Sequence, residues 1–146
     1  MDKRVVKSIN KYLADIAVSY IKIHNLHWNV VGPQFKAVHE YLESIYDSYA
    51  EVLDDVAELL KINGEIPAAS LKEYLALSDI EELESVSVDV EKAIKITLAD
   101  TRKLRDEALD IRKAADESDD FGTVNLLEDH IANYNKNIWF LDSMLK

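Results

Sequence analysis

Apolar side chains recur at steps of three and four over stretches far longer than a strand, and almost nothing in the chain interrupts them. Val5, Ile9, Tyr12, Leu13, Ile16, Tyr20, Ile23, His27 and Val31 fall on one helical face. Phe35, Val38, Leu42, Ile45, Tyr49, Val52, Val56 and Leu59 do the same. The 146 residues include only three Gly and two Pro, the types that would break such runs. A chain patterned this way folds as long helices, each burying one stripe.

The few breaks divide the chain. Gly32-Pro33 ends the first helix after Val31, and Pro33 suits the first turn of the next. Asn63-Gly64 stops the second helix. Residues 65 to 87 are less periodic, with a short helix expected at "SLKEYLAL", and are long enough to cross from one end of a bundle to the other. A third helix is expected from Val88 to Ala115, interrupted by "DESDDFGT", and a fourth from a Thr123 cap through Leu145. Two short connections around one long crossover predict an all-α antiparallel four-helix bundle, similar in connectivity to ferritin-like bundles. A helical adaptor could share that topology, so function must come from side chains.

Length and a 48% hydrophobic content suit one domain spanning residues 1–146. With no Cys, disulfides and thiolate metal sites are excluded. The N-terminal stretch "MDKRVVKSINKYLADIAV" is amphipathic and charged, unlike a signal peptide or membrane span, so the expected location is cytoplasmic. A net charge of -11 repels nucleic-acid phosphates and suits attraction of cations. Lys3, Arg4, Lys7 and Lys11 are the one basic cluster near an end, and they sit inside a helical pattern rather than on a free arm.

Three of the four histidines, His24, His27 and His39, lie within sixteen positions around the Gly32-Pro33 break. His27 precedes the break and His39 follows it, so an antiparallel pair of helices brings them level. On the second helix His39 and Glu43 are one turn apart, as are Asp54 and Glu58. Glu43 and Asp54 differ by only about 20° around the axis but lie about 16 Å apart along it. No single ion bridges that gap. One cluster is therefore His27, His39 and Glu43, the other Asp54 and Glu58, and neither fills a shell of about four to six ligands. Two copies packed with their second helices antiparallel about a two-fold axis would bring Glu43 of one to Asp54 of the other, twice over. Imidazole with carboxylate suits iron, zinc or manganese, and a carboxylate-rich site favours ferric over ferrous iron. A helical His is more often packed than ligating, and surface acids are usually solvated. Two complementary clusters on one stripe shift that balance, whereas His24 and His130 lack such partners and are read as packing residues. Trp28 and Tyr46 would ordinarily be core or interface aromatics.

"HNLHWNVVGPQFKAVHEYLE", followed by "DDVAE", "PAASLKEYLALSDIEE" and the closing "NIWFLDSML", resembles the Dps family of miniferritins. The resemblance implies a hollow homododecamer of four-helix subunits with an iron-oxidising centre shared across each two-fold interface. Its ligands fall on His27, His39, Glu43, Asp54 and Glu58, and Trp28 matches the tryptophan beside the centre that is thought to quench radicals. It further implies that Fe(II) is oxidised with hydrogen peroxide, less readily with oxygen, and that ferric mineral is stored inside, protecting the cell from oxidative damage.

Two departures stand out. The family usually has Asp where this chain has Glu43, and one more methylene moves the carboxylate by about 1.5 Å. Asn125 replaces a frequent acid near the last helix, and Phe121 interrupts the acidic stretch that lines the family's iron pores, although Asp116, Asp119 and Asp120 remain nearby. The Lys- and Arg-rich tails of DNA-binding members are absent, as is the Glu-x-x-His pair of larger ferritins. The competing readings are a nucleoid-compacting protein and a structural cage whose site holds zinc or stays empty.

Overall fold

A computed structural model describes residues 1–146 and contains four long helices and one short one. They are α1 (Lys3–Asn29), α2 (Phe35–Ile62), α3 (Leu71–Leu77), α4 (Val90–Glu117) and α5 (Phe121–Met144). α1 packs against α2, α3 and α4, while α5 lies chiefly along α4. The apolar stripes meet in one core, where Ile9, Leu13, Ile16, Leu60, Leu104 and Leu141 are almost fully buried. The sequence expectation of an all-α bundle with a short helix in its single crossover holds.

Side-chain caps explain most helix starts. Asp2, Ser70, Asp89 and Asp120 each accept a bond from a backbone N–H two or three residues on, satisfying a donor that has no partner within the helix. The Ser70 hydroxyl also donates to the Glu73 carboxylate at 2.9 Å while its oxygen takes the Glu73 N–H, so cap and third residue hold each other through side chain and backbone. The last helix thus begins on Asp120 rather than on Thr123. Thr123 sits inside the first turn, its N–H and hydroxyl both directed to the Asp120 carboxylate. An aspartate carries two acceptor oxygens and can take both bonds.

The first helix ends earlier than its apolar pattern suggests. After Asn29 the chain becomes extended, and Val30–Val31 (β1) pairs in parallel with Val88–Asp89 (β2), with Val30 opposite Val88. The third helix accordingly starts at Val90, and it runs on to Glu117 rather than Ala115. The pairing joins segments far apart in sequence, and the crossover between them meets the length a parallel pair requires. β-branched valines favour the extended state. The bridge fixes the end of α1 to the start of α4, so both lie at the same end of the bundle.

Buried polar groups cross-link the helices. Lys22 on α1 and Asp100 on α4 form an ion pair at 2.7 Å with both side chains largely buried. The Tyr12 hydroxyl lies 2.6 Å from that of Tyr134 and 3.1 Å from His130 Nδ1, linking α1 to α5. Burial pushes the His130 imidazole down, which keeps it neutral at pH 7. Its Nε2 is buried without a partner.

Candidate metal centre

The connection between α1 and α2 is short because two residues accept left-handed backbone. Gly32 has φ +113°, and Gln34, which precedes α2, has φ +66° with no side-chain capping bond. Pro33 lies between them, in the turn itself rather than in the first turn of α2. This tight reversal sets the last turn of α1 beside the first turns of α2.

His27 and His39 face each other there. Their rings stack with centroids 3.7 Å apart and planes 13° from parallel. His27 Nδ1 lies 2.7 Å from the His39 carbonyl oxygen, and His39 Nδ1 lies 2.8 Å from the His27 carbonyl oxygen. A carbonyl can only accept, so each Nδ1 carries the hydrogen and donates it. In its neutral form each ring is thereby held in the tautomer that leaves Nε2 as a lone pair. Ligating histidines are commonly oriented by this kind of backbone bond. His27 is buried and His39 half-buried, so the pair is packed as well as bonded.

The carboxylates are arranged differently. Glu43, one turn beyond His39, is exposed and accepts a bond from the Tyr46 hydroxyl at 3.2 Å. Asp54 and Glu58 are exposed on the same helix and make no hydrogen bond or ion pair. Within one chain no three His, Asp or Glu side chains converge on a point that could hold an ion. The chain therefore brings the two imidazoles together and leaves the two acidic groups along α2 apart.

An aromatic layer surrounds the imidazoles. Tyr46 stacks on His24 at 3.7 Å and meets His27 edge-on at 5.2 Å, while Phe35 packs against His39 at 5.0 Å. His24 Nδ1 also donates to the Tyr20 carbonyl at 2.6 Å, so His24 is a packed residue whose ring supports the site. Trp28 projects outward, 67% exposed, with its ring 5.3 Å from that of His24. The supporting role of Tyr46 was not drawn from the sequence, although its spacing from Glu43 places the two on one face.

Elsewhere on the surface α1 and α3 expose an apolar groove of about 270 Å³ whose lining includes Val18, Ile21, Leu71, Tyr74 and Leu75. Ile21, Leu71 and Leu75 are each more than half exposed. At the opposite end of α4, Phe121 is exposed next to Asp119 and Asp120. No helix is long and apolar enough to cross a membrane.

A bundle of this connectivity with an imidazole and carboxylate stripe on its second helix defines a ferritin-like protein, and the Ferritin-like domain model matches residues 6–146. The chain belongs to the Dps branch of the ferritin-like family. It is 34% identical to DNA protection during starvation protein 2 of Bacillus anthracis, over 99% of both chains. Antigen TpF1 of Treponema pallidum is 40% identical over 97% of this chain and 80% of its own length. The crystal structure of TpF1 superposes with a TM-score of 0.97 at 35% identity, covering 99% of this chain and 92% of that one. A Dps structure from Vibrio cholerae O1, described as one of the ferritin-like diiron-carboxylate proteins, superposes at 0.94 with 28% identity, over 99% and 90% of the two chains.

Proposed function

We propose that the protein is a ferroxidase and iron-storage cage that oxidises Fe(II) at a centre completed by two copies of the chain and protects the cytoplasm against oxidative damage. The observation that carries this reading is the reciprocal pairing of His27 and His39, which ties both Nδ1 atoms to backbone carbonyls and leaves both Nε2 atoms without a partner beside a carboxylate-bearing helix face. Membership of the ferritin-like family supports iron as the substrate metal.

In this reading His27, His39 and Glu43 of one copy bind iron together with Asp54 and Glu58 of a second copy. Carboxylates stabilise the ferric product more than the ferrous substrate, so binding itself favours oxidation. Hydrogen peroxide takes one electron from each of two ferrous ions, its O–O bond breaks, and with two protons it leaves as water. Glu43 supplies an oxygen ligand, and the Tyr46 hydroxyl fixes its rotamer. Trp28, next to His27 in the chain and 5.3 Å from the His24 ring, is the side chain that would intercept oxidising equivalents that escape. Dodecameric closure gives the ferric product an interior in which to mineralise.

The test is complementation. His39→Ala removes a nitrogen ligand on one side of the shared centre, and Glu58→Ala removes an oxygen ligand on the other. Each variant alone should oxidise Fe(II) with peroxide far more slowly while remaining assembled. Dissociating and reassembling them together gives mixed pairs with one doubly damaged centre and one intact centre, so activity returns in part. A mixture that shows only the average of its parents means that the ligands are not shared.

Nucleoid compaction is the weaker reading. The net charge is -11, and the basic residues near the start lie within α1. Plasmid DNA should migrate unretarded at neutral pH and physiological salt, where a phosphate-binding surface would slow it.

A further inference from the structure

We propose that His24 is a positioning residue for the metal centre: it seats the ring of Tyr46, and Tyr46 in turn aims the Glu43 carboxylate. The proposal rests on the metal reading only in taking Glu43 as a ligand.

The seat is built from one face of α1. Tyr20, His24 and His27 follow one another at steps of four and three, so their side chains form a single row. Tyr46 reaches that row from α2 and meets each of the rings. It lies over His24 at 3.7 Å, with the two planes 23° apart. Tyr20 at 6.2 Å and His27 at 5.2 Å meet it edge-on, at 87° and 83°. Of these neighbours only His24 covers a face of the Tyr46 ring. A stacked plane blocks rotation of the ring about its own axis, which an edge-on contact resists less.

His24 is itself held. Its Nδ1 donates to the Tyr20 carbonyl at 2.6 Å, one turn back on the same helix, and the Tyr20 ring packs edge-on against it at 4.6 Å. A carbonyl only accepts, so the bond fixes which ring nitrogen carries the hydrogen and how the imidazole plane lies. That plane then sets the plane of Tyr46.

From the ring the constraint passes to the carboxylate. The Tyr46 hydroxyl donates to Glu43 Oε1 at 3.2 Å, one turn back on α2. A phenol keeps its proton far above neutral pH, so the hydroxyl donates and the carboxylate accepts. Glu43 is exposed, and Tyr46 is the one hydrogen-bond partner of its side chain. An exposed glutamate otherwise moves among many rotamers. A bond from a mobile phenol leaves that freedom, whereas a bond from a seated phenol removes it. His24 thus fixes the direction of a carboxylate on the opposite helix without touching it.

The test is a double-mutant cycle on the assembled, metal-free protein, with Co2+ alone as the probe and visible absorption as the readout. His24→Ala and Tyr46→Phe should each weaken Co2+ binding by about two- to fivefold, the worth of one orienting bond. In the Tyr46→Phe background His24→Ala should cost nothing further, because the hydroxyl it positions is gone. His24→Phe keeps a flat ring under Tyr46 and should bind closer to wild type than His24→Ala does. If His24→Ala does not assemble, His24→Leu, which fills the space without a flat face, takes its place in the cycle. A His24 that only supports the fold would weaken binding by the same factor in both backgrounds, and that result overturns the proposal. A Tyr46→Phe protein that binds like wild type overturns it too, as does a His24→Phe protein no better than His24→Ala. The crystal structure of the metal-free His24→Ala protein gives a readout that needs no metal. Tyr46 should lose its single ring orientation and its bond to Glu43, and a bond unchanged at 3.2 Å overturns the proposal. A wild type that takes up no Co2+ removes the metal reading and this proposal together. Additive losses in a wild type that does bind Co2+ remove this proposal alone.

Discussion

The two ends of the acidic stripe on α2 are built to different standards. Around His39 every polar group has its direction fixed. Two carbonyls orient two imidazoles, the rings stack at 3.7 Å, and aromatic side chains close around them. Around Asp54 and Glu58 nothing fixes the side chains, which stand exposed and unpaired. A chain that needed all five groups within itself would organise all five. This one organises the imidazole half, whose tautomers the proposed centre needs set before an ion arrives, and leaves the carboxylate half as free charge. A carboxylate needs no tautomer and can bind through either oxygen, so it tolerates being placed by a neighbouring copy.

The largest expected effect tests whether the unequal halves are equally necessary. His27→Ala and Asp54→Ala should each reduce the initial rate of peroxide-driven Fe(II) oxidation by more than about tenfold, since each removes a ligand of the proposed centre and even loss of an outer-shell partner costs on the order of 10–100-fold in metal affinity. Stopped-flow absorbance of the ferric product measures both. If Asp54→Ala oxidises iron at the wild-type rate, the carboxylate half is ordinary solvated surface and the comparison fails.

Stability should separate the halves where activity does not. His27→Ala removes a buried ring, its bond to the His39 carbonyl and one side of the stack, leaving that carbonyl without its donor. A loss of about 1–3 kcal/mol is expected, read from thermal unfolding of samples in the same assembly state. Glu58→Gln should leave the melting temperature unchanged within error, because its side chain makes no bond within the chain. Equal losses would mean that Glu58 has a structural partner in the assembled protein.

The same contrast explains which parts of the molecule were legible in the sequence. The long helices follow from periodicity, and Gly32-Pro33 and Asn63-Gly64 mark their ends because few other residues tolerate the backbone required there. That His27 and His39 come level follows from a tight turn between antiparallel helices. Their reciprocal carbonyl bonds do not, since these depend on ring orientations set by packing with Phe35 and Tyr46. The β1–β2 bridge was invisible because two-residue strands carry no period, and its partners are separated by the whole crossover. Thr123 looked like a cap because both threonine and aspartate can serve, and only the backbone shows that Asp120 is the one outside the helix. The buried Lys22–Asp100 pair joins α1 to α4 across the crossover, so no spacing along the sequence could reveal it.

The smallest effect concerns Glu43, the one position in the candidate site that departs from the family pattern. Its longer side chain reaches far enough to accept from Tyr46 one turn away, at 3.2 Å. Glu43→Asp withdraws the carboxylate by about 1.5 Å, so the Tyr46 bond is lost and the carboxylate gains freedom of rotation. Tyr46 stays in place, because its ring is held by stacking on His24 rather than by its hydroxyl. The expected result is a modest change in oxidation rate, a few-fold at most, with no change in melting temperature or assembly. Tyr46→Phe leaves the glutamate at full length but removes the donor, and should reproduce only the part of that change due to lost orientation. If Tyr46→Phe matches Glu43→Asp in rate, orientation by the hydroxyl is the whole effect. If Tyr46→Phe is silent while Glu43→Asp is slower, reach alone matters, and the carboxylate at position 43 belongs with the freely placed half of the stripe.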